Sequence, residues 1–263
     1  MISEAYRSAR RLVTFQGISW VMALKDAIPA DMRDTVLITG CNRGLGLEFV
    51  RQYAQAGWRV FATCRNPEQA IALNRIASAS QKHVTVHRLD IANRKQIKEV
   101  VSAIGDTPID LLLNNAGIDG QRNAQFGATD EARWLEAFRV NAVAQMKMME
   151  ALIDSVARSK KRMIVCLGSK MASISENNSG SSYVYRSTKA ALNAIVRSAA
   201  IDLRPKDIAV VVMHPGWVKT DMGGVNAQID APDSVRRLRE LIDKVTLADS
   251  GKFLNLDGTL ITW

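Results

Sequence analysis

Tyr185 and Lys189 stand four residues apart, so on a helix both side chains leave the same face. A phenol with a pKa of about 10 is a poor proton donor or acceptor at neutral pH, but a nearby ammonium favours the phenolate and lowers that value. The pair is a usable acid/base, although the same spacing also arises on ordinary amphipathic surfaces. A second constellation is Thr39-Gly40-Cys41-Asn42-Arg43-Gly44-Leu45-Gly46, followed at once by the helix-like Leu47, Phe49 and Val50. Glycine lets a backbone turn tightly and approach a ligand with no Cβ in the way, and the following helix N-terminus offers N–H groups and the positive end of a dipole. A pyrophosphate would sit there. One glycine would serve a simple strand–helix corner; three in this context point to a dinucleotide. Lacking Gly-Lys-Ser/Thr, the turn is not of the Walker type, and Arg43 does not replace that lysine.

About twenty residues on, an acid would hold the adenosine ribose 2′-hydroxyl of NAD. Here the second apolar run ends Ala62-Thr63-Cys64-Arg65-Asn66, with no acid. Arg65 is placed to pair with a 2′-phosphate, with Arg43 as its partner. NADP(H) is therefore expected over NAD(H); the plainer alternative is that both arginines are surface residues.

These groups need a scaffold, and from Thr35 onward short apolar runs alternate with longer helix-like segments, the pattern of βαβ units and a parallel sheet. The runs are Val36–Ile38, Val60–Ala62, Val84–Val86, Leu111–Leu113, Ile164–Leu167 and Ile208–Met213. They lack a polar alternate face, as strands covered on both sides do. Asn66-Pro67 reads as a cap with proline at the first helical position, and Asn93 with Gln96 approximates a capping box. Ser173–Ser182 is polar enough to be a loop. Tyr185–Leu203 is apolar almost all round, so a second surface is expected over its outer side, either a subunit, giving a homodimer or homotetramer, or another helix of the same chain.

The chain has 263 residues, 47% hydrophobic and 23% charged, with 16 glycines and 6 prolines. That suits one large α/β domain and excludes disordered, collagenous or low-complexity classes. The formal charge of +9 comes from 35 basic and 26 acidic residues without a long like-charge run, so no nucleic-acid partner is expected; the excess suits an anionic cofactor. Cys41, Cys64 and Cys166 form neither a disulfide framework nor a metal knuckle, which favours a reducing, cytoplasmic setting. Cys64 and Cys166 read as core, whereas Cys41 in the glycine turn leaves open an exposed, oxidisable thiol. His83 and His87 share strand parity but have no third ligand nearby, so no metal is expected. His214 precedes Pro215-Gly216 at a strand end and carries no assigned chemistry. Residues 1–33 read as an extension, either poorly ordered, or a targeting segment, which Arg7, Arg10 and Arg11 ahead of an apolar stretch faintly resemble although no clean cleavage site follows, or misassigned ahead of a true start at Met22; the apolar stretch Leu12–Leu24 is too short and polar to span a bilayer.

Taken together, Thr39–Gly46, Asn114-Asn115-Ala116-Gly117, Asn141, Ser169 and Tyr185/Lys189 occur in the order found in the classical short-chain dehydrogenases/reductases, and roughly Thr35 to Trp263 resembles that family. Gly168-Ser169-Lys170-Met171, Tyr183-Val184-Tyr185-Arg186-Ser187-Thr188-Lys189-Ala190-Ala191-Leu192-Asn193 and Pro215-Gly216-Trp217-Val218-Lys219-Thr220-Asp221-Met222 are similar to its C-factor and Sniffer-type carbonyl reductase branch. The resemblance implies a single-domain, Rossmann-type, doubly wound parallel sheet of about seven strands flanked by helices over residues 34–263, with a substrate loop near 217–235. It also implies roles. Tyr185 would be the acid/base, with Lys189 lowering its pKa and holding the nicotinamide ribose. Ser169 would bind the substrate oxygen, with Ser173 as a weaker substitute, and Asn141 would support a water-linked proton relay. Gly40, Asn42, Arg43, Gly44, Leu45, Gly46 and Arg65 would serve the phosphates, Asp90 and Ile91 the adenine, and Asn115, Ala116 and Gly117 the adenosine ribose. Pro215, Gly216, Val218 and Thr220 would meet the nicotinamide end. Three features depart from the branch: Gly168-Ser169 stands where a serine pair is usual, Ala172 where glycine is frequent, and the gap from Ser169 to Tyr185 is long.

The expected activity is NADPH-dependent reduction of a small aldehyde or ketone, with Met171, Trp217 and Met222 flanking an apolar pocket or simply belonging to the core. The competing class is a dinucleotide-binding signalling or regulatory protein with little turnover.

Overall fold

The computed structural model describes residues 33–121 and 123–263; the extension expected over residues 1–33 falls, apart from Arg33, outside them. Asp34–Trp263 forms one compact unit. Its elements run β1 (Thr35–Thr39), α1 (Gly44–Gln55), β2 (Arg59–Cys64), α2 (Ile71–Ala79), β3 (Val84–Arg88), α3 (Arg94–Ile104), β4 (Leu111–Asn114), α4 (Glu131–Phe138), α5 (Ala144–Ala157), β5 (Met163–Leu167), α6 (Tyr183–Asp202), β6 (Ala209–Met213), α7 (Ala231–Ile242) and β7 (Phe253–Leu254). The sheet is wholly parallel, in the order β3-β2-β1-β4-β5-β6-β7. It is the doubly wound Rossmann-like arrangement expected, and each of the six apolar runs lies within a strand or holds one.

Alternation along the strands explains the layers. Leu37, Phe61, Leu112, Ile164, Cys166, Val210 and Val212 point to one side, where α3, α5 and α6 bring Ile97, Val100, Leu152, Leu192 and Val196. Val36, Ile38, Val60, Leu111, Leu113, Val165 and Val211 point to the other, onto Phe49, Val50 and Tyr53 of α1, Leu73 of α2 and Val235 and Leu238 of α7. Both faces need apolar residues, so no polar alternation remains. Strand order reverses between β1, which leads outward to β2 and β3, and β4, which begins the other half. A crevice opens at the carboxyl ends of strands at such a switch point.

The helix signals divide. Asn93 accepts from the backbone N–H groups of Lys95 and Gln96, a working cap, but Gln96 turns its side chain to the Asp90 N–H at 2.6 Å and closes no reciprocal box. Asn66 makes no side-chain cap; Pro67 opens only the short turn Pro67–Gln69, and α2 begins at Ile71. The outer side of α6 is covered in part by its own chain, with Trp134 of α4 donating from Nε1 to Ser187 Oγ at 2.8 Å; Ala194 and Ile201 remain exposed. Among the described residues no helix is long and apolar enough to cross a membrane.

Candidate active site

The glycine turn is built by close approach. A Cβ on Gly46 would lie 2.1 Å from the Gly40 carbonyl oxygen, a contact no side chain tolerates, and Gly40 itself has φ +73°. Thr39 closes the turn onto β4: its buried Oγ1 accepts from the N–H groups of Asn115 and Ala116, while Asn115 Nδ2 donates to the carbonyls of Thr39 and Gly40. α1 then starts at Gly44 with no acid in its first turn and no side-chain cap. A helix N-terminus of this kind is a positive dipole end that suits an anion. Cys41 is not exposed, contrary to the alternative left open for it. It is fully buried, its thiol donates to the Ile38 carbonyl, and burial pushes its pKa well up, so it is inert.

A cleft of about 460 Å³ runs along the strand ends. Gly40, Asn42, Arg43, Gly44, Leu45, Gly46, Arg65, Asp90, Ile91, Asn115, Ala116, Gly117, Tyr185, Lys189, Pro215 and Thr220 all line it. Asn141, Ser169, Gly216 and Val218 do not. Gly216, at φ +82°, turns the chain over Ile229, and Val218 is buried and bridged to Ile229, so both shape the segment 214–230 that presents Pro215 and Thr220. Cys64, Leu89, Ile118, Glu136, Val140, Leu167, Gly168, Asp221 and Met222 line the cleft too. Gly168, Asp221 and Met222 belong to the quoted motifs without an assigned role; the others reach the cleft as neighbours of motif residues or by lying on α4 and the turn after it.

Lys189 is 5% exposed and Tyr185 8%. Lys189 Nζ donates to the Leu167 carbonyl at 2.9 Å and lies 6.0 Å from the centroid of the Tyr185 ring. Burial lowers its pKa to about 8. Below it burial pushes the Cys166 thiol up to about 11. Asn141 sits in a π-helical turn, Arg139–Val143, between α4 and α5. The extra residue resets the helix phase, as such turns do at functional sites. Asn141 is fully buried; it accepts from the Ile118 N–H and donates to the Ile118 carbonyl and to Thr188 Oγ1. Thr188 in turn donates to the Tyr185 carbonyl, a link the sequence reading missed because threonine between Tyr185 and Lys189 has no signature.

Ser169 follows β5 in extended conformation, 8% exposed, its Oγ accepting from the Met171 N–H at 3.3 Å. Ser173 is committed elsewhere: it accepts from the Glu176 N–H and donates to the Trp263 carbonyl. Gly168 replaces a serine for a steric reason, since a Cβ there would lie 2.3 Å from Val212 Cγ1. The long interval to Tyr185 is a pinned loop, with Arg186 donating to the Met171 and Gly180 carbonyls and to Ser179 Oγ. Of the flanking apolar residues, Met222 lines the cleft; Trp217 spends its indole N–H on the Gly223 carbonyl. His214 is half-buried with an unpartnered Nδ1, and burial lowers its pKa to about 4. His87 packs on Phe61 and bonds Thr85 Oγ1.

These features fit a nicotinamide dinucleotide: a turn that side chains would block, a bare helix N-terminus, and Arg65 exposed at the end of β2. The short chain dehydrogenase family model matches residues 34–229. C-signal of Myxococcus xanthus is 40% identical over 156 residues, 59% of this chain and 93% of that protein. Among solved structures, the carbonyl reductase Sniffer of D. melanogaster superposes with a TM-score of 0.82 at 34% identity, covering 88% of this chain and all of that one. An NADPH-bound carbonyl reductase from chicken fatty liver gives 0.83 at 30%, covering 88% and 95%. With its sheet, its glycine turn and its Tyr185/Lys189 pair, this chain belongs to the short-chain dehydrogenase family of oxidoreductases.

Proposed function

We propose that the protein is an NADPH-dependent reductase converting the carbonyl of a small aldehyde or ketone to an alcohol. The observation that carries this reading is the convergence of buried Tyr185 and Lys189 with the glycine turn and Arg65 on one cleft. When bound, the nicotinamide supplies the hydride. Tyr185 gives its phenolic proton to the carbonyl oxygen, and Ser169 donates a hydrogen bond to the same oxygen. The Lys189 ammonium favours the phenolate left behind and holds the nicotinamide ribose hydroxyls. Asn141 supports the water-linked path that returns the proton. The turn Gly40–Gly46 and the N-terminus of α1 take the pyrophosphate; Asp90 and Ile91 take the adenine, Asn115, Ala116 and Gly117 the adenosine ribose, and Pro215 and Thr220 the nicotinamide end.

Preference for NADP(H) over NAD(H) rests on Arg65 and on the absence of an acid at the end of β2. Three buried, free cysteines suit a reducing, cytoplasmic setting. The likeness to C-signal supports a second reading, a dinucleotide-binding signalling protein with little turnover. The deciding experiment follows NADPH absorbance against a panel of aldehydes, ketones and diketones, with NADH in parallel. Turnover that prefers NADPH and falls by about 100-fold or more in Tyr185→Phe, with NADPH affinity kept, is the expected result. Tight NADPH binding with no turnover of any carbonyl would instead favour the signalling reading.

A further inference from the structure

Two segments far apart in sequence meet at the mouth of the cleft. Arg43, the extended residue ahead of α1, donates from Nη1 to Asp221 Oδ2 at 2.6 Å across 178 residues. Asp221 follows Thr220 on the segment 214–230, and both partners of the pair line the cleft. Behind them the segments touch, with Thr220 Cγ2 lying 3.4 Å from where a Gly44 Cβ would be. The next cation on that segment, Lys219, is engaged by Asp230 at 3.0 Å. Arg65 stands on the same cleft at the end of β2. Thus one of the two guanidiniums suited to a 2′-phosphate is held by a carboxylate of the same protein.

We propose that Asp221 is a cofactor-specificity residue: by holding Arg43 at the substrate-loop side of the cleft it withholds that guanidinium from the 2′-phosphate, leaving Arg65 to discriminate NADP(H) from NAD(H). The inference rests on the reading that the cleft takes NADP(H). The Arg43 and Asp221 side chains are 67% and 72% exposed, and an ion pair in water is weak and screened by salt. Asp221 is therefore a competitor that a phosphate can displace at small cost. It lowers the 2′-phosphate contribution without abolishing it, and it leaves NADH, which has no such group, unaffected.

The test is the dissociation constant of NADPH and of NADH, read from nicotinamide fluorescence at low and high salt, for the parent, Asp221→Asn, Arg43→Gln, the double variant and Arg65→Gln. All these side chains are exposed, so the fold is not at stake. Asp221→Asn is expected to tighten NADPH by about twofold to fivefold and leave NADH unchanged. That gain should vanish in the Arg43→Gln background and shrink at about 0.5 M salt. If Asp221→Asn weakens both dinucleotides alike, the pair is a strap over the shared part of the cofactor and the inference is overturned. The same holds if the tightening survives without Arg43. Arg65→Gln separates the two levels. Should it weaken NADPH while Asp221→Asn changes nothing, the inference alone fails; should it leave NADPH unaffected, the 2′-phosphate reading fails and the inference with it.

Discussion

An ammonium that is 5% exposed, with the Leu167 carbonyl as a hydrogen-bond acceptor, is held in the domain against its solvation preference. Burial brings Lys189 down to about 8, whereas an unfolded lysine titrates near 10.4. Between those two values the unfolded chain holds a proton that the native chain has released, so stability rises with pH across that window. Below about pH 8 the destabilisation is present in full. Lys189→Met is therefore expected to remove the rise between about pH 8 and about pH 10.4 and to increase the thermal midpoint at pH 7, even as turnover collapses. Thermal unfolding of parent and variant over a pH series measures this, and an unchanged slope would mean that Lys189 buries no charge. Ser169 and Ser173 make the complementary point. Both are buried and four residues apart, but Ser173 is used to anchor the Trp263 carbonyl while Ser169, next to the cleft-lining Gly168, accepts from the Met171 N–H.

At the scale of elements, the start of α1 is where chain path and chemistry coincide. Gly46→Ala would drive a Cβ into the Gly40 carbonyl oxygen, and a backbone atom held by Asn115 does not move aside cheaply. The variant is expected to lose at least about 1–3 kcal/mol of stability in urea denaturation and to lose dinucleotide binding by more than its stability loss explains, because the turn itself is displaced. Retained affinity with lowered stability would limit Gly46 to a packing role. The elements also mark how far local signals reach. Strands were legible because both faces of the sheet are buried, so their runs are uniformly apolar. The cap at Asn93 was legible because an asparagine ahead of a helix bonds its own chain. Asn66-Pro67 misled, since proline fixes φ equally well in a single tight turn. The π-helical turn that aims Asn141 left no local trace, being a phase shift within one continuous helical run.

For the whole molecule, the sheet separates two cores, one under α5 and one under α7. Leu152→Ala and Leu238→Ala, both fully buried, are each expected to cost about 2–5 kcal/mol. Because they share no partners across the sheet, their costs should add within about 0.5 kcal/mol in denaturant titrations of the single and double variants; a larger interaction would mean that the two layers do not respond independently. The sequence by itself determined the fold class, the glycine turn, the Tyr185/Lys189 pair and the absence of an acid after β2, since each is written in residue type and short spacing along one element. Only the tertiary structure decided that Ser173 is spent on the Trp263 carbonyl, that Gly168 is glycine because Val212 leaves no room, that Cys41 is inert, and that Arg43 faces Asp221. The physical reason is the same in each case: these outcomes depend on contacts between segments tens to nearly two hundred residues apart, or on burial beneath them, and no local pattern encodes which neighbour the crossover of a parallel sheet will bring.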